Sequence, residues 1–404
     1  MSSENGRSGE KIKTILFIII LCVQIIGFRF IRTKTMQIWP YLAIILYSIK
    51  PIQEALLPLG DIIFQLLTAF IFFIEIIKRY RLNQKLRVEK YILFFAILIL
   101  INGIYNGISF GFLPRGYIQG VLNYGFILLL SIYLLNSIKS REDLVKILQM
   151  TRFNIILLFA FAVYDKYFIG LQRIGDITNP NYIAQMSIIL LLFYIYSAKK
   201  KLSGISIIYY SFSLLTIYMT GSNSGIMGVL IIVGSILIFS IKFKKIIMAS
   251  YYAFWGLSFF FMWVIIATSN YEYGLLRYFV KPEDTSRVIL WQYTFGEFLN
   301  HPLMGGFYNT FRAPWGTIDI VTHNDFLRLL VELGIFGLFF LFAFGRKQMK
   351  LLLQYNKMDS MFLYSLLLVT LSYSLSHNNL QNPMFWFAFL LPSFKIFTPD
   401  KVDD

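Results

Sequence analysis

Apolar segments of roughly 15–23 residues recur along the whole chain, each near the ~20 residues that carry an α-helix across a bilayer. They lie at 12–30, 37–50, 56–77, 91–107, 118–138, 153–170, 181–197 and 204–220, and again at 224–241, 246–268, 324–345, 359–377 and 383–397. Composition agrees. The 404 residues are 57% hydrophobic and 14% charged, with a mean hydropathy of +0.65, too little charge for the surface of a soluble protein of this size. The expected fold is all-α: a polytopic transmembrane helical bundle of about 12 spans (11–14).

The formal charge of +16 does not point to nucleic acid, because the basic residues are clustered between the apolar segments. KRYRLNQKLRVEK (78–90), KSREDLVK (139–146), AKKK (198–201), KFKK (242–245) and GRKQMK (345–350) read as cytoplasmic loops under the positive-inside rule. The loops at 108–117, 171–180, 221–223, 269–323 and 378–382 are poor in Lys and Arg and read as external, which places the C-terminus in the cytoplasm. The N-terminal part leaves two readings. Three crossings before Lys78 put the N-terminus outside, whereas a segment 37–50 too short to cross, or re-entry at 51–60, changes the parity. The first apolar run has no small-x-small cleavage site and is followed by Arg29 and Arg32, so it reads as a retained anchor. Cys22 is the sole cysteine, so no disulfide framework or Cys-rich metal site is expected.

Three parts follow: transmembrane helices over 1–268, a long extracytoplasmic loop over 269–323, and helices with a cytoplasmic tail over 324–404. Long loops of this kind are usually functional or disordered, and this one is aromatic-rich rather than low in complexity. Inside it, Val288, Trp291, Phe295, Phe298 and Leu299 repeat at helical spacing, predicting an amphipathic helix over 284–299 at the outer membrane surface.

Polar groups gather where this loop meets the next span, in HNDFLRLLVELGIFG (323–337). Asn324 is a good N-cap, and Asp325 suits the positive end of the helix dipole. His323 precedes the cap, and its ordinary pKa near 6.5 suits a general base. Arg328 and Glu332 are spaced i,i+4 and can pair on one face, either as a packing salt bridge or as part of a substrate groove. Arg287, Arg312 and Arg173 lie in outer loops, where a planar guanidinium can hold a diphosphate bidentately or simply snorkel to headgroups. NPNY (179–182), with Asn181, and TGSNSG (220–225), with Ser222 and Asn223, are turn-like pieces facing the same side. Trp291, Trp315 and Tyr308 offer stacking surfaces for sugars, although interfacial anchoring is the commoner role. There is no DxD, HExxH or P-loop pattern, so no metal, nucleotide or other cofactor is expected.

NPN before a span, a TGS-x-SG turn, SR-x(3)-W with HPLMGG (286–306), and the HN…E-x-G-x-x-G block together resemble the O-antigen ligase and O-antigen polymerase superfamily of bacterial membrane enzymes. The resemblance covers about 155–400. It implies that His323 is catalytic and that Arg287 contacts the diphosphate of a polyprenyl-linked glycan donor. Asn223 stands where the TGS-x-SG turn often has Arg, so one phosphate contact is absent or is supplied by Arg173. The implied activity is that of a glycosyltransferase in the bacterial cytoplasmic membrane, polymerising lipid-linked repeat units into an O-antigen or capsule-type polysaccharide. The alternatives are a ligase that moves the glycan to another acceptor, and a transporter or flippase. A transporter often shows two related halves, and no repeat is visible here. The implied partners are the polyprenyl-diphosphate-linked oligosaccharide, the bilayer, and a chain-length regulator and flippase of the same pathway.

Overall fold

The computed structural model describes the chain except for residues 1, 35, 57–59, 111–114, 168–179, 199–202, 241–243, 268–284, 307–312, 316–317, 321–322, 378–379, 381 and 398–404. Helix α1 (Ser2–Ile31) leads through α2 (Ile38–Tyr47) and α3 (Lys50–Leu56) to α4 (Gly60–Arg81), α5 (Lys90–Phe110) and α6 (Arg115–Ser137). Then come α7 (Arg141–Met150), α8 (Arg152–Tyr167), α9 (Pro180–Ser197), α10 (Gly204–Thr220), α11 (Asn223–Ser240) and α12 (Lys244–Ala267). The remainder is α13 (Thr285–Asn300), strands β1 (Ala313–Trp315) and β2 (Ile318–Ile320), α14 (Asp325–Leu352), α15 (Lys357–Ser374) and α16 (Pro383–Leu390), which tightens into a 3₁₀ turn at Leu391–Ser393.

This is a helical membrane protein. Every apolar segment read from the sequence holds a helix, and among the described residues seven helices are long and apolar enough to cross a bilayer. Their ends follow local chemistry. The Ser140 hydroxyl accepts from the Asp143 N–H at 3.0 Å to start α7, and Asn382 accepts from the Met384 N–H at 3.0 Å to start α16. Ser203 and Ser206 form a capping box on α10.

In four places the structure departs from the expectation. The basic stretch at 139–146 is not a plain loop, since α7 occupies most of it and runs on into α8. Segment 37–50 and the piece after it form two short helices, α2 and α3. The long segment 269–323 holds the expected helix, as α13, and also a hairpin that was not expected, in which Ala313 pairs with Ile320 and Trp315 with Ile318. The apolar run at 324–345 is broken: Gly334 has φ 67° and ψ −165° inside α14.

Helix α9 forms the centre, packed against α10, α11 and α15, with side chains buried along almost its whole length. The basic end of the bundle is tied by charge. Arg141 of α7 pairs with Asp359 of α15 at 2.5 Å, and the Tyr196 hydroxyl of α9 donates to the same carboxylate at 2.8 Å. Arg79 of α4 donates to the Asn136 carbonyl at 3.0 Å, Asn136 accepts from the Arg87 N–H at 2.9 Å, and the Arg87 guanidinium reaches the Ser393 carbonyl.

Candidate active site

The site is built at the opposite end, around the start of α14. Asn324 caps the helix as expected. Its side-chain oxygen accepts from the N–H groups of Phe326 and Leu327 at 3.0 and 3.1 Å. His323, just before the cap, has φ 51°, a left-handed conformation that His tolerates better than branched residues. That turn sets the half-buried imidazole at the mouth of the bundle, on a backbone held by the cap. Asp325 does more than complement the dipole. It is fully buried, and its Oδ2 accepts from the Leu380 N–H at 3.1 Å, joining α14 to the connection between α15 and α16.

One turn further in, Arg328 Nε and Glu332 Oε1 meet at 2.8 Å with both side chains almost fully buried. Tyr124 of α6 lies in the field of Arg328, Glu332 and Asp325. The pair therefore faces protein and not lipid, as charges in a span require.

Beyond the pair, the helix breaks at Gly334, about 14 Å along α14 from Asp325 at 1.5 Å per residue. A broken helix frees backbone groups, and in a bilayer these need partners from the protein. The segment 301–306 (HPLMGG), which follows α13, supplies them. The Ile335 N–H donates to the Pro302 carbonyl at 2.9 Å, and the Gly306 N–H donates to the Val331 carbonyl at 3.1 Å. Asn102 of α5 donates to the Glu332 carbonyl at 3.1 Å and also reaches the Met304 carbonyl. The two backbones touch. A Cβ on Gly334 would lie 2.1 Å from the Leu303 carbonyl oxygen, and one on Gly305 (φ 68°) would lie 2.4 Å from the Glu332 carbonyl carbon. Segment 301–306 thus clasps the broken span beside the Arg328–Glu332 pair.

The other expected residues fall as follows. Asn181 is buried in the first turn of α9. Ser222 is buried, and its hydroxyl accepts from the Gly225 N–H at 3.2 Å, so it starts α11 as a cap. Asn223 is exposed at the same turn. Arg287 lies in the first turn of α13. Trp291 is 8% exposed and belongs to the packed face of that helix. Arg173, Arg312 and Tyr308 lie outside the described residues, and Trp315 is in β1.

Two residues escaped the sequence reading. His377, in the connection after α15, is buried, with its Nε2 3.5 Å from the Ser224 hydroxyl of the TGSNSG turn; Ser224 also lies 3.0 Å from the Ser376 hydroxyl. Gln185 is fully buried one turn beyond Asn181, with neither amide atom hydrogen-bonded among the described residues. Its i,i+4 spacing from Asn181 was the available signal, whereas nothing local marks His377.

Fold and site together define a polytopic helical membrane protein that gathers a histidine, a buried ion pair and a clasped, broken span at one end. The family described as O-antigen ligase has a model that matches residues 208–342, a stretch holding three of the four pieces quoted above, and this match supports membership of the O-antigen ligase/polymerase superfamily. No curated protein and no solved structure matches the chain.

Proposed function

We propose that the chain is a membrane glycosyltransferase that polymerises polyprenyl-diphosphate-linked oligosaccharide repeat units into a surface polysaccharide. The observation that carries this reading is the family match over 208–342, within which His323 stands at a rigidly capped helix start. In the reaction, an acceptor sugar hydroxyl gives its proton to His323 and attacks the anomeric carbon of the donor. The bond from that carbon to the phosphate oxygen breaks, and the polyprenyl diphosphate departs with its charge met by Arg287, Arg173 and Arg312. Asn181, Asn223 and the Arg328–Glu332 region border the groove for the sugars. The sugar–phosphate bond supplies the driving force, so neither nucleotide nor metal is needed.

The orientation belongs to the same proposal: the basic end faces the cytoplasm, the 269–323 loop faces outward, and the membrane is the bacterial cytoplasmic membrane. The ends of α1, α4 and α6 meet around one groove, and the chain of contacts from Asn136 through Arg87 to Ser393 puts the end of α16 at that side too. An odd number of crossings fits, within the expected range of about 11–14.

A ligase is the second reading, favoured by the description of the matching family. Purified protein in liposomes with lipid-linked repeat units alone separates the two, because a polymerase makes longer chains without a further acceptor. In that assay His323→Ala should lose roughly 10²–10⁴ in turnover. His323→Asn keeps a residue that tolerates the left-handed turn but lacks a base, and should be equally inactive. Near-normal turnover by His323→Asn removes the histidine from the chemistry.

A further inference from the structure

A groove of about 1400 Å³ opens between α1 and α4 at the basic end, completed by the start of α2 and the last turns of α6. Five cations border it: Arg29, Arg32, Lys34, Lys78 and Lys139. All five are exposed, and none pairs with a carboxylate among the described residues. The acidic residue of the lining, Glu75, is already held by Arg79 at 3.0 Å. Between the cations the wall is apolar, with Ile26, Ile71 and Ile74.

The gap exists because α1 packs on α2 and α3, while its Thr14–Ile31 stretch is only 11% buried and stands away from α4. Space between two spans does not stay empty in a bilayer, since the lining atoms would forfeit their dispersion contacts. Acyl chains would fill it. What distinguishes this gap is its mouth, where unpaired Lys and Arg attract anionic headgroups and a zwitterionic headgroup would leave their charge uncompensated.

We infer that the groove between α1 and α4 binds an anionic phospholipid, with its phosphate among Arg29, Arg32, Lys34, Lys78 and Lys139 and its acyl chains along Ile26 and Ile74. The groove lies at the other end of the bundle from His323, so it is not the donor site. On the orientation proposed above it takes its lipid from the cytoplasmic leaflet. The inference rests on the membrane fold alone and not on the glycan chemistry.

Delipidated full-length protein in detergent, titrated with cardiolipin, phosphatidylglycerol or phosphatidylethanolamine and read by native mass spectrometry, tests it. The two anionic lipids should bind and phosphatidylethanolamine should bind far more weakly. A cation near the membrane surface is worth roughly a fivefold change in affinity. The triple change Arg29→Gln, Arg32→Gln, Lys78→Gln should therefore weaken cardiolipin binding by about two orders of magnitude. Arg81→Gln, Lys85→Gln, Lys350→Gln removes three exposed cations outside the groove and should leave binding nearly unchanged. Ile74→Trp keeps every charge but fills the apolar wall, and should also weaken binding. Soluble pyrophosphate should not compete. The inference is overturned by equal loss in the two triple variants, by equal binding of phosphatidylethanolamine, by unaltered binding in Ile74→Trp, or by full competition from pyrophosphate.

Discussion

Replacing Gly334 with alanine attacks the clasp at its tightest point. The backbone there, φ 67° and ψ −165°, belongs to a region open almost only to glycine, and forcing a side chain into it costs about 1–3 kcal/mol. The added Cβ would lie 2.1 Å from the Leu303 carbonyl oxygen, 2.3 Å from its carbonyl carbon and 2.6 Å from the Met304 nitrogen. These are main-chain atoms, so no rotamer change relieves the overlap and segment 301–306 must retreat. Retreat breaks the Ile335–Pro302 and Gly306–Val331 hydrogen bonds. The two α14 groups left without partners, the Ile335 N–H and the Val331 carbonyl, each cost about 1–3 kcal/mol. The sum is roughly 3–9 kcal/mol, against total stabilities of about 5–15 kcal/mol for native proteins.

Thermal stability followed by fluorescence-detected gel filtration in detergent reads this directly. Gly256→Ala is the comparison, because a Cβ there meets nothing within 4 Å. Gly334→Ala should lose its monodisperse peak or drop by roughly 3–4 °C or more, taking about 1.2 °C per kcal/mol for a chain of this length. Gly305→Ala strains the same contact from the other side, so the double variant should cost less than the two single changes added. A Gly334→Ala protein with the midpoint of Gly256→Ala refutes the clasp.

Arg328→Ala and Glu332→Ala should each destabilise by about 3–5 kcal/mol by leaving one buried charge alone, while the double change costs less; equal effects in all three would mean the groups do not act as a pair. Arg287→Lys should remain impaired in polymer formation at normal protein level, because a point charge does not reproduce a bidentate fork; full activity would reduce Arg287 to an interface anchor. In a Cys22→Ser background, an impermeant thiol reagent on intact cells should label a cysteine placed at Asn300 and not one at Lys85, and the reverse pattern would invert the orientation.

The sequence determined what short-range rules can reach. Apolar runs near 20 residues located the helices because backbone groups in hydrocarbon must bond within about four residues of themselves. Asn324 was readable as a cap, Arg328 and Glu332 as an i,i+4 pair, and 284–299 as a helix, for the same reason: each depends on neighbours one turn away. The resemblance to O-antigen ligases was legible too, since each of its motifs is a short contiguous stretch, and a family model matches 208–342. The tertiary structure decided what depends on groups far apart in sequence. An apolar pattern through 324–345 looks the same whether Gly334 is helical or not, and the break is sustained by carbonyls and N–H groups some 30 residues upstream, at Pro302 and Gly306. His377 has meaning only beside Ser224, 153 residues away, and Asp325 only beside Leu380, 55 residues away. Loop closure and close packing choose such partners for the chain as a whole, and they leave no local pattern at either end.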